Sequence, residues 1–157
     1  MAVRDSTQYA DINVNAPNIA TARQEGGRPV PITFDHTVVS GELGGATAGA
    51  SDEVRLCVLP ANCRVVGFEM AHNGVGASAG TGATIEIGDS GDVNRFYISG
   101  ANPEGADEDI AGGIGTLAFA GLNFEPTADT IVLLQWGIAN PVVGQQVKGL
   151  FWIIPGS

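Results

Sequence analysis

The stretch Glu53-Val54-Arg55-Leu56-Cys57-Val58-Leu59-Pro60-Ala61-Asn62-Cys63-Arg64-Val65-Val66-Gly67-Phe68-Glu69-Met70 decides how this chain folds. Apolar and other residues alternate on either side of Pro60-Ala61-Asn62, a segment of turn formers. A period of two puts Val54, Leu56 and Val58 on one face, then Val66, Phe68 and Met70, with Arg55, Gly67 and Glu69 pointing away. The pattern predicts two strands joined as a hairpin. The same alternation sets Cys57 and Cys63 on the face opposite Val54, Leu56 and Val58, where the two thiols could meet. A reducing compartment disfavours their disulfide, and a zinc site needs more ligands than this pair supplies.

Outward from this stretch, short runs of β-branched and aromatic residues recur between clusters of Gly, Pro, Asn and Asp. Eight strands are expected: Ile32 to Val39, Glu53 to Leu59, Arg64 to His72, Ala83 to Gly88, Val93 to Ser99, Gly115 to Ala120, Thr130 to Trp136 and Gln146 to Ile154. No segment offers apolar residues at helical spacing with a cap and ten or more residues free of Gly and Pro, so helix is minor. The long links at Gly41 to Asp52 and Gly100 to Ile114 suit crossovers between two sheets. The expected fold is all-β, an eight-stranded antiparallel jelly-roll sandwich. An immunoglobulin-like sandwich comes second, because the Cys and Trp spacing of that domain is missing.

Residues 1–31 read as an extended N-terminal arm ahead of a β-sandwich domain at 32–157. The arm is rich in Asn, Ala, Gln and Pro and ends in Glu25-Gly26-Gly27-Arg28-Pro29-Val30-Pro31. Plain disorder is the competing reading, but a solvating tail has no need of Tyr9, Ile12, Val14 and Ile19. Together with Arg23 and Arg28, these are the candidate partner-binding residues. Two runs of small residues, Gly44 to Ala50 and Gly74 to Gly82, read as flexible loops in preference to a crowded oligomer axis.

The chain has 157 residues and a formal net charge of −10, enough length for one domain with its own core. Between Met1 and Pro31 three arginines (4, 23 and 28) balance Asp5, Asp11 and Glu25, so the whole excess belongs to the remainder. An acidic body repels phosphate backbones, which argues against direct nucleic-acid binding. Met1 to Ala10 lacks the apolar run of a signal peptide, and no stretch approaches the roughly 18 apolar residues of a membrane span. The expectation is synthesis in the cytoplasm of the producing cell, without membrane partners.

Candidate chemistry is weak. Gly88-Asp89-Ser90-Gly91-Asp92 is similar to the serine setting of trypsin-like proteases, but the two histidines, His36 and His72, lack that family's context, and a tight turn explains the string. Asp89, Asp92 and Asn94 offer oxygens for calcium without the EF-hand spacing. Glu104, Asp107, Glu108 and Asp109 read as a solvated loop. The histidines lie too far apart for the cupin metal pattern, and Glu69 with Glu86 is a formal glycosidase pair of unknown separation. No catalytic residue, metal or cofactor is therefore expected. Trp136 and Trp152 sit in contiguous apolar runs and read as core. The contiguity points to burial on both faces, one against the opposite sheet and one against a neighbouring subunit.

The string Ile85-Glu86-Ile87-Gly88-Asp89-Ser90-Gly91-Asp92-Val93-Asn94-Arg95-Phe96-Tyr97, followed by Thr127-Ala128-Asp129-Thr130-Ile131-Val132-Leu133, resembles the capsid decoration or cement proteins of tailed bacteriophages. The resemblance covers roughly Leu56 to Ile154. It implies a jelly roll that forms a homotrimer on the outer surface of the capsid and clamps neighbouring copies of the major capsid protein. A tail, fibre or receptor-binding module recognising cell-surface glycan is the alternative, and an enzyme on the same scaffold the third class.

Overall fold

The computed structural model describes residues 3–5, 28–42, 52–73, 84–98, 107–110, 121, 123–137, 141 and 143–156. Among them the chain forms nine strands: β1 (Val3–Asp5), β2 (Val30–Thr37), β3 (Glu53–Leu59), β4 (Arg64–Asn73), β5 (Thr84–Asp89), β6 (Asp92–Ile98), β7 (Asp107–Ile110), β8 (Thr130–Gly137) and β9 (Gln146–Ile154). They make two sheets. Sheet A runs β1-β3-β8-β5-β6 and sheet B runs β2-β9-β4-β7. All neighbours are antiparallel except β1, which lies parallel on β3.

The sheets face each other over a core drawn from both. Phe34, Phe68 and Phe151 come from β2, β4 and β9 of sheet B, and Phe96 from β6 of sheet A. Phe96 meets Phe151 edge-on with ring centroids 5.0 Å apart, and Phe68 lies 5.0 Å from Phe151. Such pairs add about 0.5–1.5 kcal/mol each to the burial of their area. Trp136 on β8 is fully buried on the sheet A side, as its apolar run predicts.

Seven of the eight expected strands are present, with ends within two residues of the expected ones. The other, Gly115 to Ala120, lies outside the described residues, as do the two small-residue runs. Two strands were not foreseen. β7 arises in the acidic run read as a solvated loop, where Asp107–Ile110 pairs with Met70–Asn73 at the edge of sheet B. β1 arises in the arm, and Val30 and Pro31 open β2.

The stretch that decides the fold is corrected in two respects. β3 and β4 are not a hairpin, because they belong to opposite sheets. The turn between them, closed by the Cys63 N–H on the Pro60 carbonyl at 3.2 Å with Asn62 at φ 60°, carries the chain across the sandwich. Each strand also contains a register shift, between Arg55 and Cys57 and between Val65 and Gly67. An extra residue reverses the alternation beyond it. Leu56 and Cys57 are both buried, Val58 is only half-buried, and Val65 rather than Val66 enters the core.

Cys57 and Cys63 are free and buried. Burial, with the nearby Cys63, pushes the Cys57 thiol far above its usual range. Burial likewise raises Cys63 to about 11; the Asp129 and Glu125 carboxylates add to this and a backbone hydrogen bond opposes it. Both groups are held as neutral thiols.

Candidate interaction surface

Sheet B turns one face to the core and the other outward, and β9 runs through its middle between β2 and β4. Val147, Phe151 and Ile153 point inward and are buried, so Leu150, Trp152 and Ile154 fall on the outer face, each half-buried. Two strands flank this apolar stripe. In register with Trp152 stand Pro31 on β2 and Gly67 on β4, and in register with Leu150 stand Thr33 and Glu69. Gly67 leaves room there: a Cβ would come 3.1 Å from the Trp152 ring, and the indole would have to give by a few tenths of an ångström. The indole Nε1–H donates to Glu69 Oε1 at 2.9 Å, which fixes the ring against the sheet. Pro31, Thr33, Glu69 and Lys148 are exposed around it. Lys148 and Asp35 form a 3.4 Å surface ion pair, an interaction worth little in water.

A hydrogen-bonded Trp between apolar neighbours, on the central strand of a sheet and ringed by exposed polar groups, has the makeup of a protein-binding anchor. This corrects the reading of Trp152 as core. Its contiguous apolar run carried the signal, since burial on one face leaves the alternate apolar residues on the other.

Of the candidate arm residues, Tyr9, Ile12, Val14, Ile19 and Arg23 lie outside the described residues. Arg28 is exposed and precedes β2 by two positions, so the chain leaving it reaches Pro31, the register partner of Trp152. The root of the arm and the outer stripe of β9 therefore share one face.

The motifs that hinted at chemistry serve the fold. Asp89 closes the β5–β6 turn: its Oδ1 accepts the Gly91 and Asp92 N–H groups at 2.8 and 3.0 Å, and its Oδ2 accepts Arg95 Nε at 2.6 Å. Gly88, where the register shifts, has no room for a Cβ beside the Asp92 and Val93 backbone. Ser90 is the exposed tip of this turn. Both Asp89 oxygens accept hydrogen bonds from the chain's own donors, so the carboxylate is already engaged in building the turn.

His36 Nε2 lies 3.1 Å from Glu42 Oε2 in a buried pair, and Glu42 Oε1 accepts the Val39 N–H at 2.9 Å, pinning the exit of β2. Glu69 and Glu86 stand on the outer faces of opposite sheets, a whole sandwich apart, so no glycosidic bond can lie between them. Burial raises the Glu86 carboxyl above its usual range. No group of three or more potential metal ligands, and no helix long and apolar enough to cross a membrane, occurs among the described residues.

No family model matches the sequence, and no curated protein is significantly similar to it. Solved structures do match. A chain in the capsid of Ralstonia phage GP4 superposes with a TM-score of 0.60 at 17% identity, over 83% of this chain and 86% of that one. A chain in the capsid asymmetric unit of cyanophage Pam1 does so with a TM-score of 0.57 at 17% identity, over 83% of this chain and 89% of that one. The fold is one that phage capsid chains use. At this identity the likeness is one of architecture, and it spans nearly the full length of both neighbours.

Proposed function

We propose that this chain is a structural protein of a phage virion that decorates the outside of the capsid as a homotrimer and cements neighbouring copies of the major capsid protein. The observation that carries the reading is the fold shared with two phage capsid chains over more than four fifths of each. The resemblance around Gly88 to Tyr97 points the same way. The strand order supports a jelly roll: β2-β9-β4-β7 in one sheet and β3-β8-β5-β6 in the other divides eight strands between two four-stranded sheets, the chain changing sheet at every step except from β5 to β6. In this reading residues 1–31 are an arm and 32–157 the jelly-roll body, and the register of Pro31 with Trp152 is where the two meet.

Charge fits the placement. A net −10 carried wholly by the residues after Pro31 suits the outer surface, away from packaged DNA, and leaves a neutral arm to lie on an adjacent subunit. No active site is part of the reading, since Ser90, Asp89, His36 and Glu42 are accounted for by turns and pairs within the fold. Virions made without this protein should lose DNA on heating or osmotic shock under conditions that wild-type virions survive. Equal survival would end the cementing role.

One observation favours the runner-up, a glycan-binding module of tail or fibre. Trp152 is partly open to solvent with a carboxylate beside it, which is also the makeup of a sugar platform. Binding of the purified protein to host-cell polysaccharide, abolished by Trp152→Ala, would favour that reading over the capsid one.

A further inference from the structure

We infer that β1 is exchanged between copies of this chain, so that Val3–Asp5 of one copy completes the sheet A edge of the next. The inference rests on the oligomeric reading above and adds the segment that crosses between the copies. Within one chain β1 lies parallel on β3 in the register Val3↔Glu53, Arg4↔Val54, Asp5↔Arg55. A ladder of three residues in the parallel sense, the weaker kind per residue, holds its own arm only loosely. A second copy presents an identical edge, and pairing with it makes the same hydrogen bonds. Which edge is filled then depends on reach and on local concentration.

Reach is ample. Strands β2 and β3 pack on each other across the sandwich, and facing sheets lie about 10 Å apart, so the strand that follows the arm and the strand that β1 pairs with face each other. The 22 residues from 6 to 27 can extend to about 70 Å. That surplus is unnecessary for closing within one chain, and it suffices to cross to a neighbour around a symmetry axis.

Charge selects this segment for the crossing. The bodies of two copies, each carrying the −10, repel within about 8 Å at physiological salt, the Debye length. The arm, with three arginines against three acids, crosses without adding to that repulsion. Exchange also hides the backbone edge of β3 from wrong partners, a hazard of any open sheet.

The register supplies the test. Two tagged full-length chains, one carrying Val3→Cys and the other Glu53→Cys, are co-expressed, oxidised and run on a non-reducing gel, with the native mass measured in parallel. Exchange predicts disulfide-linked dimers containing both tags, absent when either variant is made alone. It also predicts a ladder up to the native oligomer from the double variant Val3→Cys/Glu53→Cys. If that double variant does not fold, Asp5→Cys with Arg55→Cys reads the same ladder. An oligomer of native mass whose links lie only within chains overturns exchange while leaving the oligomeric reading intact. A monomeric mass at every concentration overturns both.

Discussion

Replacing Asp89 with alanine should cost this protein about 3–4 kcal/mol, a large share of the stability of a domain this size. The carboxylate takes the Arg95 Nε–H at 2.6 Å and the two turn amides at 2.8 and 3.0 Å. The Asp89 side chain is 7% exposed and that of Arg95 21%, so the partners left behind are not freely solvated. Hydrogen bonds to a charged group contribute about 1.5–3 kcal/mol each. The three share one acceptor group and do not add in full. Arg95 keeps its seat 4.5 Å from the Phe124 ring centroid, which offsets part of the loss. Asp89→Asn retains an oxygen for the amides and forfeits the ion pair, for about half the cost, roughly 1.5–2 kcal/mol. The assay is equilibrium urea denaturation at one fixed protomer concentration, since oligomer stability depends on it. Calcium and chelator should leave the midpoint of the wild type unchanged. An Asp89→Ala midpoint within about 0.5 kcal/mol of wild type would refute the account of the turn. So would a calcium-dependent gain in the wild type that the variant lacks.

Three further outcomes follow from the packing. Gly149→Ala should destabilise by about 2–3 kcal/mol, because its Cβ would meet the Glu69 carbonyl and the Phe34 ring, whereas Gly144→Ala, at φ +89° with open space around it, should cost only about 1 kcal/mol; equal midpoint shifts in denaturation would contradict this. The Cys63 thiol, raised from 9.0 to about 11 in the folded chain, stabilises fully below pH 9, and that contribution is lost as pH rises through about 11. Denaturation midpoints should therefore fall over that window, and less steeply in Cys63→Ala; identical slopes would be against it. Trp152→Ala should cost only about 1–2 kcal/mol of stability, since the ring is half-exposed, yet weaken capsid binding at least tenfold in co-sedimentation, and unchanged binding would remove sheet B from the interface.

Much of the architecture was legible because strand content and turn chemistry are local properties. β3 and β9 begin and end where alternation and β-branched content place them. What escaped was set by distant partners. The extra residues near Leu56 and Val66 reverse the faces of β3 and β4, and nothing local marks them, since Val58 and Val66 suit either side of a sheet. The supposed hairpin failed for the same reason. A Pro-Ala-Asn turn can join neighbouring strands or carry the chain between sheets, and the choice lies with β8 and β9, which claim β3 and β4. β7 was hidden in an acidic run of low β-propensity, where pairing with the open edge of β4 prevails over local preference. At the candidate surface, the contiguous apolar run of β9 placed apolar residues on both faces of the strand, but which of them face outward followed only from the register with Phe34 and Phe68.

A capsid-binding role is open to co-sedimentation. Purified protein is added to mature phage capsids stripped of or assembled without this chain, and the pellet is quantified over a concentration series. The protein should bind saturably at a fixed ratio to the major capsid protein and restore resistance to heat. Protein that stays in the supernatant at every concentration, beside capsids that bind the remaining virion components normally, would contradict it.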